Sequence, residues 1–306
     1  VSRTVYLGTS SFAASVLRSL AESRHRPALV ITPPDSRRGR GRRPAPPPAA
    51  EEAAALGIEL LQAEDVNAEA VRAAIAAAGA EVAAVCAFGQ LIREPLLSEL
   101  LMLNVHPSLL PRWRGAAPVE RAIMAGDCRT GVSVMRVTAG LDSGPVALQE
   151  ETPIGADEDC GALSPRLAEL GGRLLVGALD RHDAGRLELR EQDEAEATYA
   201  EKIDASERRL DPGRPAVELA RRVRALTPHI GAYLEDGNGA RLGVRRARPV
   251  EQGPEPGRLE VAAESLLLGT TEGGLEIGEV QPPGGRPMRV AAYLRGHAPP
   301  ERVPAG

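Results

Sequence analysis

The chain of 306 residues predicts an α/β protein in which a parallel, doubly wound sheet precedes a small antiparallel β-barrel. Three observations carry that prediction. Short apolar runs alternate with helical patterns through the first half of the chain, as a parallel sheet with crossover helices requires. Beyond the last strong helical pattern the texture changes to short strands punctuated by glycine and proline, which suits a small barrel. The length is sufficient for two buried cores.

Val5–Gly8 is short and apolar and reads as the first strand, followed by TSSF and a helical pattern from Ala13 to Leu20. A strand is expected at Ala28–Thr32, and alanine-rich helices at Ala50–Leu56 and Ala68–Ala78. Ala83–Phe88 reads as a buried strand and Leu101–His106 as another. Pro118–Ala125 is a helix with proline at its first position, where the missing N–H costs nothing. Gly131–Val137 is strand-like, and Leu163–Leu179 supplies a long amphipathic helix. The GTSSFA turn lacks the GxGxxG spacing of a dinucleotide site, which excludes NAD. Asp180–Arg208 is charged and poor in large apolar residues and reads as a linker. A helix at Ala216–Leu226 follows, then a hairpin around Asp236-Gly237-Asn238-Gly239. Further strands are expected at Arg258–Val261, Ser265–Gly269 and Gly274–Val280. The expected organisation is a first domain over 1–185, a linker over 186–205 and a second domain over 206–306.

Hydrophobic residues make up 43% and charged residues 26%, the balance of a folded chain rather than a disordered one. The net charge of -5 conceals an uneven distribution. From Pro34 to Ala49 the chain carries Arg37, Arg38, Arg40, Arg42 and Arg43 against Asp35 alone, a local +4 on a remainder of -9. Cys86, Cys128 and Cys160 are odd in number and lack CxxC spacing, which disfavours a disulfide scaffold or thiolate metal site and suits a reducing compartment. The five histidines show no ligand spacing, so no metal is implied. No apolar run approaches a membrane span and no leader pattern opens the sequence, so a cytoplasmic protein that meets no membrane is expected.

In a strand, residues two apart share a face, so Asn104 and His106 project together while Leu103 and Val105 point into the packing. Pro107 keeps His106 extended. Open parallel sheets bind ligands outside the carboxyl ends of their strands, where these two side chains are expected. Asp142, in TAGLDSGPV, sits between Gly140 and Gly144 in a segment able to turn sharply. A carboxylate beside an imidazole fixes its tautomer, and an amide can donate to a developing oxyanion. Together the three suit acyl transfer to an amine without a covalent enzyme intermediate. Each also has a plain structural reading. An Asn-x-His pair can be a hydrogen-bonded strand end, Asp142 a turn residue, Trp113 a packing anchor, and Arg112 with Arg114 a solvated edge.

The stretch NVHPSLLPRWRGAAPVERAI, followed by GLDSGPV, closely resembles methionyl-tRNA formyltransferases. The resemblance extends along nearly the whole chain: GTSSFA, TPPDSRRGRGRRP, CAFGQLI, EETPI, TYAEKI and VQPPGGRPM. It implies a Rossmann-like formyltransferase domain joined to an OB-like, tRNA-contacting barrel. The implied activity is transfer of a formyl group from 10-formyltetrahydrofolate to initiator methionyl-tRNA for translation initiation. The family's catalytic Asn, His and Asp fall on Asn104, His106 and Asp142. Its folate loop falls on Ser108, Leu109, Leu110 and Pro111, and the apolar turn containing Phe88, Gly89, Leu91 and Ile92 would form part of the pterin pocket. Where relatives commonly carry tryptophan and proline at the head of the second domain, this chain has LTPHIGAYLE, with His229 and Ile230.

The basic stretch has two readings: a solvated loop, as charge runs with proline generally are, or a nucleic-acid contact in which arginines meet phosphates. The resemblance implies the second, with the loop entering the acceptor stem and Arg40, between its two glycines, sensing a weak first base pair. A monomer is expected. The rival expectations are a formyltransferase acting on a small amine, a formylfolate hydrolase, and a non-enzymatic RNA-binding protein.

Overall fold

Five parallel strands form the centre of the first of two units in the computed structural model, which describes residues 1–38 and 43–305. The first unit comprises Val1–Pro118, Arg129–Pro153 and Ser164–Ala200, and the second Val119–Cys128, Ile154–Leu163 and Glu201–Gly306. In chain order the elements begin with β1 (Thr4–Gly8), α1 (Ser11–Ala21), β2 (Leu29–Thr32), β3 (Ser36–Arg38), β4 (Arg43–Ala45), α2 (Pro48–Leu56) and β5 (Glu59–Gln62). Next come α3 (Glu69–Ala77), β6 (Val82–Cys86), α4 (Leu96–Glu99), β7 (Leu101–His106), β8 (Arg114–Gly115) and α5 (Pro118–Ala125). Then follow β9 (Arg129–Arg136), β10 (Val146–Pro153), α6 (Cys160–Asp183) and β11 (Tyr199–Ala200).

The large sheet has the order β10-β9-β7-β6-β1-β2-β5. β1 pairs in parallel with β2 on one side and β6 on the other, so the winding reverses between β1 and β6. The crevice outside such a reversal is where open α/β sheets bind ligands. β7 continues the parallel run beside β6, and β9 and β10 add an antiparallel edge to the expected parallel sheet. β1, β2 and β6 are buried along their whole length, which explains their unbroken apolar sequences. Ser10 caps α1 by accepting the Ala13 N–H at 3.2 Å, and Thr9 donates to the Phe88 carbonyl at 2.6 Å. Two of the hydroxyls of the GTSSFA turn thus serve the helix start and the neighbouring loop. α6 begins three residues before the expected Leu163 and carries Pro165 inside its first turns.

The basic stretch is more structured than its composition suggests. β3 and β4 pair antiparallel, Arg37 opposite Pro44 and Arg38 opposite Arg43. Arg40 and Arg42 lie outside the described residues.

The second unit is antiparallel. After α7 (Ala216–Leu226) come β12 (Ala232–Glu235), β13 (Arg241–Val250), β14 (Leu259–Ala262), β15 (Ser265–Gly269), β16 (Gly274–Gln281), β17 (Met288–Arg289) and α8 (Val290–Tyr293). The sheet runs β12-β13-β16-β15-β14, with β17 also on β16. β12 and β13 are joined at the Asp236–Gly239 turn that the sequence marks as a hairpin. β13 carries bulges between Val244 and Ala247, which bend the long strand. The apolar face of α7, with Leu219, Val223 and Leu226, packs with Leu234, Val244, Leu266, Leu275 and Ile277 into one core. Among the described residues no helix is long and apolar enough to cross a membrane.

Candidate active site

β7 sets the geometry through its period of two. Leu103 and Val105 are buried on one face, and α6 approaches that face so closely that a Cβ on Gly171 would lie 2.6 Å from Val105 Cγ1. Asn104 and His106 project from the other face. His106 is 4% exposed at the strand's carboxyl end, and Asn104 is half-buried one pair below it. The segment after β9 returns over this face. Val137 donates to the Met102 carbonyl at the start of β7, whereas Asp142 Oδ2 reaches 3.6 Å from His106 Nδ1 at its end. The structure therefore brings His106 and Asp142 together over the face that carries Asn104.

One hydrogen bond of the imidazole fixes its tautomer. His106 Nε2 lies 2.8 Å from the Trp113 carbonyl oxygen, which can only accept, so Nε2 carries the hydrogen. Nδ1 is then the nitrogen on the side of Asp142. The Asp142 carboxylate is itself anchored: Oδ2 accepts the Gly115 N–H at 2.9 Å. Both groups thus depend on the chain between Trp113 and Gly115. Trp113 and Asp142 each adopt positive φ, 63° and 45°, conformations that surrounding contacts must hold.

The predicted folate loop is built from behind. Ser133, which faces His106 across the β7–β9 pairing, donates to the Ser108 carbonyl at 2.7 Å and accepts the Leu110 N–H at 3.1 Å. Gln149 on β10 adds bonds to Ser133 Oγ at 2.8 Å and the Leu110 carbonyl at 2.9 Å. The Ser108 hydroxyl donates to the Arg112 carbonyl at 2.6 Å, closing the turn. Leu110 and Pro111 line a groove of about 730 Å³ with Gln149 and Gln192. In the other predicted loop, Phe88 and Ile92 are buried in the core beside β6 and β7, Gly89 takes a positive φ of 80°, and Leu91 is 68% exposed. Gln90 and Asn67 secure this loop by side-chain bonds to the Val66 N–H and the Leu91 carbonyl. Cys86, at the end of β6, is no nucleophile: burial pushes its thiol up to about 12.

Sequence reasoning missed a second layer. Arg114, offered as a solvated edge, is 1% exposed and is the largest fully buried side chain. Its guanidinium makes a two-pronged bond to Glu194 at 2.9 and 2.8 Å and donates through Nε to Gln192 Oε1 at 3.0 Å. Gln192 Nε2 in turn donates to the Asp142 and Gly144 carbonyls at 2.8 and 2.7 Å. Thr198 Oγ1 accepts the Trp113 N–H at 2.9 Å, and β11 pairs in parallel with β8. The stretch 186–200, read as linker, belongs to the first unit and ties down its key turns. Their separation from Arg114 by some eighty positions left no local signal.

Of the predicted tRNA contacts, Arg37 and Arg43 are exposed on the β3–β4 hairpin, while Arg40 and Arg42 fall outside the described residues. The side chain of Arg38 also lies outside the described part of the structure.

The family model of formyl transferase matches residues 2–179, and that of the formyl transferase C-terminal domain matches residues 202–298, so residues 180–201 fall in neither. The methionyl-tRNA formyltransferase of Paracoccus denitrificans is 41% identical over 303 residues, 98% of this chain and 99% of that protein. That of Thermus thermophilus is 44% identical over 298 residues, 96% of each. In fold, HypX from Aquifex aeolicus in complex with tetrahydrofolic acid superposes with a TM-score of 0.67 at 18% identity, over 96% of this chain and 47% of that one. The N-formyltransferase from Helicobacter canadensis, in complex with folinic acid and dTDP-3-aminofucose, gives 0.66 at 15% identity over 90% and 98%. The chain belongs to the formyl transferase family and, within it, to the methionyl-tRNA formyltransferases.

Proposed function

We infer that the chain transfers the formyl group of 10-formyltetrahydrofolate to the α-amino group of methionyl-tRNA, and that Asn104, His106 and Asp142 carry the step. Identity above 40% to methionyl-tRNA formyltransferases along almost the whole chain supports the substrate pair. At the site, the reading rests on one observation: His106 and Asp142 face each other over the side of β7 that bears an amide.

The residues fit a folate. Leu91 and Leu141 are 68% and 63% exposed on two of the segments that form the site, apolar surface that a flat pterin would cover. Backbone groups of the 87–92 and 107–111 loops suit its polar edges better than a phosphate cradle would. Bound, the folate presents a formyl carbon on N10. The neutral α-amine attacks that carbon, a C–N bond forms, and negative charge gathers on the formyl oxygen. Asn104 can donate to this oxygen from its amide, and His106 from a protonated Nδ1. Collapse breaks the bond to N10. The amine loses one proton and N10 gains one, a relay suited to His106 Nδ1 while Asp142 holds the ring's charge. The products are formylated methionyl-tRNA and tetrahydrofolate.

The arginines at 37, 38, 40, 42 and 43 would meet acceptor-stem phosphates, with discrimination arising from how easily the terminal base pair opens. The barrel would supply further tRNA contact. Exposure of Arg37 and Arg43 on one hairpin supports this. Arg40→Ala is then expected to raise the KM for initiator methionyl-tRNA and leave folate binding unchanged. Equal losses in both would remove the loop from the substrate interface.

The direct test is formyl transfer from 10-formyltetrahydrofolate to methionyl-tRNA, with free methionine as the control acceptor. Formate release without an acceptor would make the chain a hydrolase. RNase-insensitive transfer to a small amine would make it a small-molecule formyltransferase.

A further inference from the structure

We propose that Gln192, fixed in place by Arg114 and Glu194, is a positioning residue for Asp142, so that a stretch covered by neither family match is part of the transfer site. The proposal rests on the catalytic reading of His106 and Asp142 given above.

Asp142 needs restraint for two reasons. Its φ of 45° is a conformation that a non-glycine residue keeps only when its surroundings impose it. Its Oδ2 lies 3.6 Å from His106 Nδ1, just beyond hydrogen-bond range, so a shift of a few tenths of an ångström makes or breaks that contact. Two anchors limit the shift. The Gly115 N–H fixes the carboxylate, and Gln192 fixes the backbone by donating to the carbonyls of Asp142 and Gly144.

The orientation of Gln192 is not arbitrary. A primary amide can face the turn with either its oxygen or its nitrogen, and only the nitrogen can donate to carbonyls. Arg114 Nε–H can only donate, so it holds the Gln192 oxygen toward itself and turns both amide N–H groups toward the Asp142 turn. The guanidinium is in turn held on its other edge by Glu194. Arg114 and Gly115 form β8, paired with Tyr199 and Ala200, so the Gly115 anchor is also fastened by this stretch. A short piece of chain therefore governs both points at which Asp142 is held. Its chemistry, an amide and a carboxylate that both engage the buried Arg114 guanidinium, exceeds what a connection between domains requires.

Gln192→Glu isolates the point. It keeps shape and the acceptor for Arg114 but removes both donors and sets a carboxylate against two carbonyls. The variant, Asp142→Asn, the double variant and the wild type are compared in single-turnover formyl transfer, with the folded fraction measured by thermal unfolding. The expected result is a rate roughly 10- to 100-fold below wild type for Gln192→Glu, with KM values for folate and methionyl-tRNA within about threefold. In the Asp142→Asn background the same change should cost less than about twofold, because groups acting through one another are not additive. A wild-type rate for Gln192→Glu beside an impaired Asp142→Asn would overturn the role of Gln192 alone. So would a loss that tracks the unfolded fraction, or a full multiplication in the double variant. A wild-type rate for Asp142→Asn would remove Asp142 from the mechanism, and this proposal with it.

Discussion

At the scale of single residues, the proposed mechanism divides labour among three side chains of different kinds. His106 is buried, with one nitrogen committed to the Trp113 carbonyl and the other turned to Asp142. Losing one donor to a developing oxyanion typically costs about 3 kcal/mol, a hundredfold or more in rate. Asn104→Ala, His106→Ala and Asp142→Asn are each expected to lower single-turnover transfer by about that factor while leaving the thermal midpoint within a few degrees. Stopped-flow or quench-flow rates check the first expectation and calorimetry the second. Near-wild-type rates in any two would show that the chemistry lies elsewhere. The thiols make a second, independent expectation. Cys128 is exposed, whereas Cys86 and Cys160 are buried. A thiol reagent near neutral pH should modify one cysteine rapidly in the native protein and the other two only on unfolding, as counted by mass spectrometry.

At the scale of elements, the turn between Trp113 and Ala116 is tightly constrained. Gly115 has a φ of 119°, and a Cβ placed there would lie 2.8 Å from the Ala200 carbonyl oxygen. Gly115→Ala should therefore cost roughly 2 kcal/mol through backbone strain alone, visible in urea unfolding. It should also reduce turnover, since the displaced N–H is the one Asp142 accepts. The sequence made some elements plain and hid others for physical reasons. β7, α5 and α7 fall on their expected bounds because each couples a clear apolar period to a proline or turn signal at its edge. β3 and β4 were obscured by arginine, glycine and proline, a composition that ordinarily marks a loop. Asn104, His106 and Asp142 were legible as a pattern because two share a strand face and the third sits in a glycine-flanked turn. Gln192, Glu194 and Thr198 were not. They are polar residues in a polar stretch, and their partners lie far away in sequence.

At the scale of the whole molecule, stability should be limited on the alkaline side by buried acids in the first unit. Desolvation holds the Tyr6 phenol well above its ordinary range and pushes the Cys86 thiol from about 9.0 up to about 12. Between those two values the unfolded chain has released the thiol proton and the folded chain retains it. The native state binds more protons there, so stability falls as pH rises. The expected slope from Cys86 is about 1.4 kcal/mol per pH unit above pH 9, with Tyr6 adding to it at higher pH. Urea midpoints at pH 8 and pH 10.5 test this, and Cys86→Ala should flatten the decline. Neither unit is a continuous piece of chain, because Val119–Cys128 and Ile154–Leu163 belong with Glu201–Gly306. An excised fragment beginning near residue 206 would lack both and should be less stable than the same residues in the full protein.

The pairing of β8 with β11 bears on how the enzyme is born. A nascent polypeptide leaving the ribosome possesses its amide, imidazole and carboxylate once residue 142 has been translated. The strand that pairs with Arg114 and Gly115, whose N–H holds the carboxylate, arrives only with Tyr199 and Ala200. Through that interval the growing protein carries the three groups proposed for the transfer step without the pairing that holds the Gly115 turn, and on that proposal its competence is gained late, from residues outside both family matches.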